Sequence, residues 1–170
     1  YYIQNGCVQK GQETVKQNSN GWWYIGTDGK VDFHKNTVAP NEYGWWAVRN
    51  GAVDFQLNGI ASNESGDWYC RGGQVDFGAA GVLESETEGF SGWYYIQNGC
   101  VQKGQETVKQ NSNGWWYIGT DGKVDFGFSG IASNENGTWY IENGKVNFTY
   151  SGTYEDENGR IYDIKSGNVA

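Results

Sequence analysis

The sequence predicts an all-β solenoid of stacked β-hairpin repeats, and three observations lead there. Residues 1–33 recur without a change at residues 94–126. Gly21, Gly44, Gly66, Gly92, Gly114, Gly137 and Gly159 open similar short units at spacings of 23, 22, 26, 22, 23 and 22 residues, a period that belongs to solenoids and arrays. The 170 residues include 9 Trp, 12 Tyr, 7 Phe and 27 Gly, with one Pro and no Met. That composition favours short strands and turns over helices. Apolar surface is then shared between neighbouring units, and no single central core is expected.

Units begin near residues 1, 21, 44, 66, 92, 114, 137 and 159. They are expected to form one repeat domain over 1–170, in two four-unit blocks, 1–91 and 92–170. The unit from Gly21 reads GWWYIGTDGKVDF and turns at Thr27-Asp28-Gly29; its copy from Gly114 does the same at Thr120-Asp121-Gly122. The unit from Gly44 turns at Asn50-Gly51, that from Gly66 at Gly72-Gly73, that from Gly92 at Asn98-Gly99 and that from Gly137 at Asn143-Gly144. Asn-Gly is a strong hairpin signal because a type I′ turn needs positive φ at both central residues. The first and fifth units depart from the rest, with Lys10 and Lys103 in the position of Phe and KGQETVKQNSN following each. These segments are either wider loops or block boundaries.

With Asn143-Gly144 as the turn, Glu142 faces Lys145, Ile141 faces Val146, Tyr140 faces Asn147 and Trp139 faces Phe148. The period of two then puts Trp139, Ile141, Val146 and Phe148 on one packing face. Trp46, Val48, Val53 and Phe55 match them, as do Trp68, Cys70, Val75 and Phe77. A lone hairpin is marginal in water, so the units must stack.

The other face repeats an aromatic beside a carboxylate. It carries Trp22, Tyr24 and Asp32; Trp45 and Asp54; Tyr69 and Asp76; Trp93 and Tyr95; Trp115, Tyr117 and Asp125; and Tyr140. Such a pair suits a sugar, by stacking and hydrogen bonds, or a quaternary amine, by cation–π attraction and charge. Repetition along a polymer turns weak contacts into avidity. The same residues have a simpler role open to them: the aromatics as packing between stacked hairpins, the Asp residues as solvated charges that limit edge pairing.

The recurring G-x-W-Y-x-x-x-G-x-V pattern is similar to the choline-binding and glucan-binding cell-wall repeats of Gram-positive surface proteins, and it runs through nearly the whole chain. The resemblance implies hairpins stacked into a left-handed superhelix, with ligand pockets built by aromatics of consecutive hairpins. It also implies an extracellular, wall-associated module that tethers a larger exported protein to teichoic acid, polysaccharide or another glycan. Where the choline-binding pattern has Gly-Trp, this chain reads Gly59-Ile60, Gly81-Val82 and Gly130-Ile131. It is closer to the VDF-type relatives, one pocket aromatic poorer per unit.

Other functions find little support. A net charge of −8 disfavours a nucleic-acid partner. No apolar run reaches the length of a membrane span, and no signal peptide opens the chain; because it starts inside a unit, a fragment of a longer surface protein is expected. His34, the one histidine, sits in a link between units, and no nucleophile motif or metal spacing accompanies it, so neither an enzyme nor a cofactor is expected. The run from Glu155 to Asn158 is short of a calcium loop. Cys7 and Cys100 are the same position in the two copies while Cys70 is elsewhere, which leaves room for one disulfide at most. A stalk that spaces a partner domain from the cell, or an adhesin segment facing a host protein or glycan, remains open beside wall binding.

Overall fold

The computed structural model describes residues 1–170. Every regular element is a strand, from Ile3–Gln4 to Asn168–Val169, and there is no helix. The chain divides into two compact units. The first is Tyr1–Ala79 with Ser85–Ser91 and Asn98–Cys100, and the second is Ala80–Glu84 with Gly92–Gln97 and Val101–Ala170.

In the first unit, the repeat that opens at Gly44 shows the plan. Strand Thr37–Asn41 lies antiparallel to Gly44–Arg49, with Thr37 opposite Val48 and Asn41 opposite Gly44. The chain then turns at Asn50-Gly51 into Ala52–Val53, with Val48 opposite Val53 and Arg49 opposite Ala52. Asn50 and Gly51 have φ of 47° and 76°, the paired positive values of a type I′ turn. Asn98-Gly99 and Asn143-Gly144 repeat them.

The expected register holds at Ile141↔Val146 and Glu142↔Lys145 and then stops. Trp139 does not face Phe148 across a ladder: it faces Ala132 on one side and Asn168 on the other. The cause is the residue before each Phe. Oδ1 of Asp54 accepts the N–H of Gln56 at 3.0 Å, and Asn147 does the same for Thr149 at 3.0 Å. This Asx turn bends the chain out of the strand. Phe55, Phe77, Phe126 and Phe148 are consequently 44 to 48% exposed, not members of a buried packing face.

The longer ladder of each repeat is made with the preceding segment, which the Asn-Gly signal does not announce. Gly59–Asn63 pairs with Gly66–Arg71, and Gly130–Asn134 with Gly137–Glu142. Each repeat is thus two hairpins sharing a central strand.

Neighbouring repeats are joined through the backbone at the turns. Ala47 N donates to Gly73 O at 2.7 Å, and Gly73 N to Leu57 O at 2.9 Å. In the second unit, Tyr117 N donates to Gly144 O at 2.8 Å and Gly144 N to Phe128 O at 2.7 Å. The approach is so close that a Cβ on Gly51 would sit 2.2 Å from Asp32 O. Asn-Gly therefore serves twice, setting the turn and admitting the next repeat.

Between these contacts lie small cores. Val15, Tyr24, Ala39, Trp46, Val48 and Val53 form one in the first unit, and Val38, Ala47, Leu57, Cys70 and Val75 another. In the second unit, Val108, Tyr117, Ala132, Ile141 and Val146 pack together, as do Val82, Trp116, Ile118 and Val124. Each core draws residues from successive repeats, so burial rewards stacking. Ser85 and Thr87 are the buried polar residues; they bond Ile60, whose N–H donates to Ser85 Oγ at 3.1 Å and whose carbonyl accepts from Thr87 Oγ1 at 2.9 Å. All three cysteines are free, with Cys7 exposed and Cys70 buried.

Candidate aromatic ligand sites

The central strands from Gly21, Gly44 and Gly114 begin with glycine and two tryptophans, and alternation sends the two in opposite directions. The second, Trp46 in the repeat from Gly44, is fixed by a hydrogen bond. Its indole N–H donates to Asn41 Oδ1 at 2.9 Å, and the same oxygen accepts Tyr43 N at 2.8 Å. Trp23–Asn18, Trp68–Asn63, Trp116–Asn111 and Trp139–Asn134 repeat the bond at 3.1, 3.0, 2.9 and 3.0 Å. One Asn thus closes the hairpin turn and orients the indole.

The first residue of the pair, Trp22 or its equivalents, meets the rings of the next repeat. Trp22 lies 5.1 Å from Trp46 and 5.7 Å from Phe55, which are 5.6 Å from each other. Trp45 is likewise 5.0 Å from Trp68 and 5.6 Å from Phe77. In the second unit, Trp93 sits 5.1 Å from Trp116 and 5.9 Å from Phe126, and Trp115 sits 5.2 Å from Trp139 and 5.9 Å from Phe148. Four groups of two indoles and one phenyl result, each spanning two consecutive repeats. Tyr43 joins the first as a fourth ring, 6.0 Å from Trp22.

The ring planes are steeply inclined, from 51° to 89°. Such edge-to-face packing suits aromatic quadrupoles. A cation placed there is attracted by each face it touches. The protein's own cations already use its aromatic faces, one of them within a ring group: Lys145 Nζ lies 5.1 Å from the Trp116 ring and Lys35 Nζ 5.5 Å from that of Tyr24.

The residues read from the sequence as ligand contacts fall into three environments. Trp22, Trp45, Trp93 and Trp115 are in the ring groups. Tyr24 and Tyr117 are buried, and Tyr69, Tyr95 and Tyr140 are half-buried. Burial, together with Glu106, pushes the Tyr117 phenol up to about 12, and burial with Glu13 raises Tyr24 further. Asp32, Asp54, Asp76 and Asp125 each accept the N–H two residues on, at 2.8 to 3.0 Å. Asp76 also pairs with Arg71 at 2.8 Å and Asp54 with Arg49 at 3.6 Å.

Two of the three rings in each group escaped the sequence reading. The alternation puts Trp46, Trp68 and Trp139 with Phe55, Phe77 and Phe148 on the packing face, since within one hairpin they alternate with Val, Ile or Cys, and it assigns no role to Trp116 or Phe126. The orienting Asn was missed as well, although Asn-x-x-Gly-x-Trp recurs at Asn18, Asn41, Asn63, Asn111 and Asn134.

Segments 35–54, 58–76, 91–102 and 127–147 match the choline-binding repeat model. No curated protein matches the chain. Among solved structures, it is similar to CbpJ of Streptococcus pneumoniae, with 18% identity and a TM-score of 0.40, covering 92% of this chain and 52% of that one. Choline binding protein F of the same organism gives 18% and 0.39, with 95% and 51% covered. The modular autolysin LytC, also from Streptococcus pneumoniae, gives 13% and 0.40, with 100% and 46% covered. This chain therefore spans about half the length of these structures.

Proposed function

We propose that this chain, four segments of which match the choline-binding repeat model, is a non-catalytic wall-binding module that takes quaternary ammonium groups of a cell-wall polymer onto its ring groups. The observation that carries the reading is the recurrence of one arrangement, two indoles and a phenyl, at four junctions. A trimethylammonium head is large, weakly hydrated and unable to donate a hydrogen bond. An aromatic enclosure without a carboxylate suits it. The net charge of −8 adds a field that favours a cation. Each contact is weak, about 0.5–2 kcal/mol, and several choline groups on one polymer raise the total by avidity. The module acts outside the cell and anchors the protein of which it is part.

The test is co-sedimentation of the chain with Gram-positive walls, intact and stripped of teichoic acid, with free choline as competitor. Binding that needs teichoic acid and is released by choline is expected, together with loss of affinity in Trp22→Ala and Trp115→Ala. Retention on stripped walls, or indifference to choline, would overturn the reading.

A further inference from the structure

The four ring groups differ in what stands against their second indole. In each, one residue of the following repeat pairs with that Trp on the ladder: Gln74 with Trp46, Cys100 with Trp68, Lys145 with Trp116 and Asn168 with Trp139. Two amides and a thiol bring no ammonium group to their indoles. Lys145 does, and its Nζ lies 5.1 Å from the centre of the Trp116 ring, within the range of a cation–π contact.

The duplication supplies an internal comparison. Trp23 and Trp116 hold the same place in the identical segments 1–33 and 94–126, and each indole donates to an Asn, at 3.1 and 2.9 Å. Trp23 pairs with Ala52, however, and Trp116 with Lys145. Both partners lie outside the duplicated segments, so the copied sequence does not account for the lysine. Where lysine recurs at this register it makes the same contact: Lys123 is bridged to Tyr94, with Nζ 5.7 Å from that ring.

The surroundings keep Lys145 at the indole and keep it charged. Gly114 makes room for it, since a Cβ there would overlap Lys145 Cε. Glu142, opposite Lys145 on the ladder, accepts the side-chain amide of Asn147 at 2.7 Å. Lys109, by contrast, is neutralised by Glu135 at 3.0 Å.

Resting on the quaternary-ammonium reading above, we infer that Lys145 is a built-in competitor that makes the group of Trp93, Trp116 and Phe126 the weakest of the four. One cation already engages the Trp116 quadrupole. A second brought to the same indole meets the repulsion of the first, and beside a Trp that is 9% exposed this repulsion is screened less than in bulk water. The groups of Trp22, Trp45 and Trp115 carry no such opponent at their second indoles. They load first, and the Trp93 group fills only at higher ligand concentration.

The experiment is a choline titration of the full chain followed on the indole N–H signals by ¹H–¹⁵N NMR, for the parent, Lys145→Gln and Lys145→Arg. In the parent, the Trp93 and Trp116 signals are expected to need about three- to tenfold more choline than those of the other groups. Lys145→Gln places at 145 the side chain found at 74 and should lower that midpoint by about the same factor, with the other three groups unmoved. Lys145→Arg retains the charge and should stay weak. Gln74→Lys is the reciprocal test, whether or not Lys145→Gln folds: it should weaken the group of Trp22 and Trp46 alone. Equal midpoints at all four groups of the parent, an unchanged midpoint in Lys145→Gln, or Lys145→Arg binding as tightly as Lys145→Gln overturns the inference and leaves the quaternary-ammonium reading standing. Silence of every indole overturns that reading and this inference together.

Discussion

Asn41 Oδ1 accepts two hydrogen bonds at once, from the Trp46 indole at 2.9 Å and from the Tyr43 backbone at 2.8 Å. The turn and the ring are therefore set by one atom. Asn41→Ala leaves the indole N–H without its partner at a Trp that is 9% exposed. A loss of about 1–3 kcal/mol is expected from the unmet donor. Thermal unfolding followed by near-ultraviolet circular dichroism should show a lower Tm, and choline affinity should fall with it. An unchanged Tm would mean that water replaces the side chain.

Gly6 and Gly51 both have φ of 76°, yet an added Cβ meets nothing at Gly6 and meets Asp32 O at 2.2 Å at Gly51. Gly6→Ala should cost about 1–2 kcal/mol, the penalty of the left-handed conformation alone. Gly51→Ala also forces the neighbouring repeat away and should cost clearly more, about 3 kcal/mol or above. Urea unfolding of the two variants side by side measures the difference. Equal effects would show that the joint between repeats can yield.

Phe55 is 44% exposed, while Trp22 and Trp46 lie 5.7 and 5.6 Å from it. Its removal should then affect binding more than folding. Phe55→Ala is expected to lower choline affinity severalfold with a stability change near 1 kcal/mol. Tryptophan fluorescence titration and urea unfolding give the two readings. A large stability loss with normal binding would return Phe55 to a structural role.

Tyr117 has its phenol pushed up to about 12, first by burial and then by Glu106. The folded state holds this proton more tightly than the unfolded chain, whose tyrosine titrates near 10. Stability is therefore complete below pH 10 and falls as pH rises from 10 to 12. Tyr117→Phe should flatten the alkaline limb of a plot of stability against pH between those values. A slope identical to that of the parent chain would show that Tyr117 ionises without unfolding.

Burial alone raises the Cys70 thiol to about 12, whereas Cys7 is exposed. At pH 8, iodoacetamide should label Cys7 readily and Cys70 only after denaturant is added. Peptide mass analysis distinguishes the sites. Early labelling of Cys70 would reveal local opening of the core that contains Val38, Ala47, Leu57 and Val75.

The sequence made some of this visible and hid the rest for identifiable reasons. Asn143-Gly144 announced both its turn and its register, because few residue pairs tolerate positive φ twice. Gly130–Asn134, reading GIASN, was overlooked as a strand since Gly, Ala, Ser and Asn have weak β preference; its pairing with Gly137–Glu142 supplies what its composition does not. Trp22 stood out as an aromatic on the second face. Its partners Trp46 and Phe55 did not, because a period of two sorts residues within one hairpin and is silent about the next.

The ring groups follow the arithmetic of a fence, in which rails exist only between posts. Trp22 is part of a ring group only when the repeat bearing Trp46 and Phe55 follows it. A ligand seated there is consequently a clamp across a joint, and occupancy should make neighbouring repeats melt together where empty ones come apart singly. Removing one internal repeat erases two half-sites and creates a new one from rings that had never met. Length variation in such a chain changes valency by whole steps.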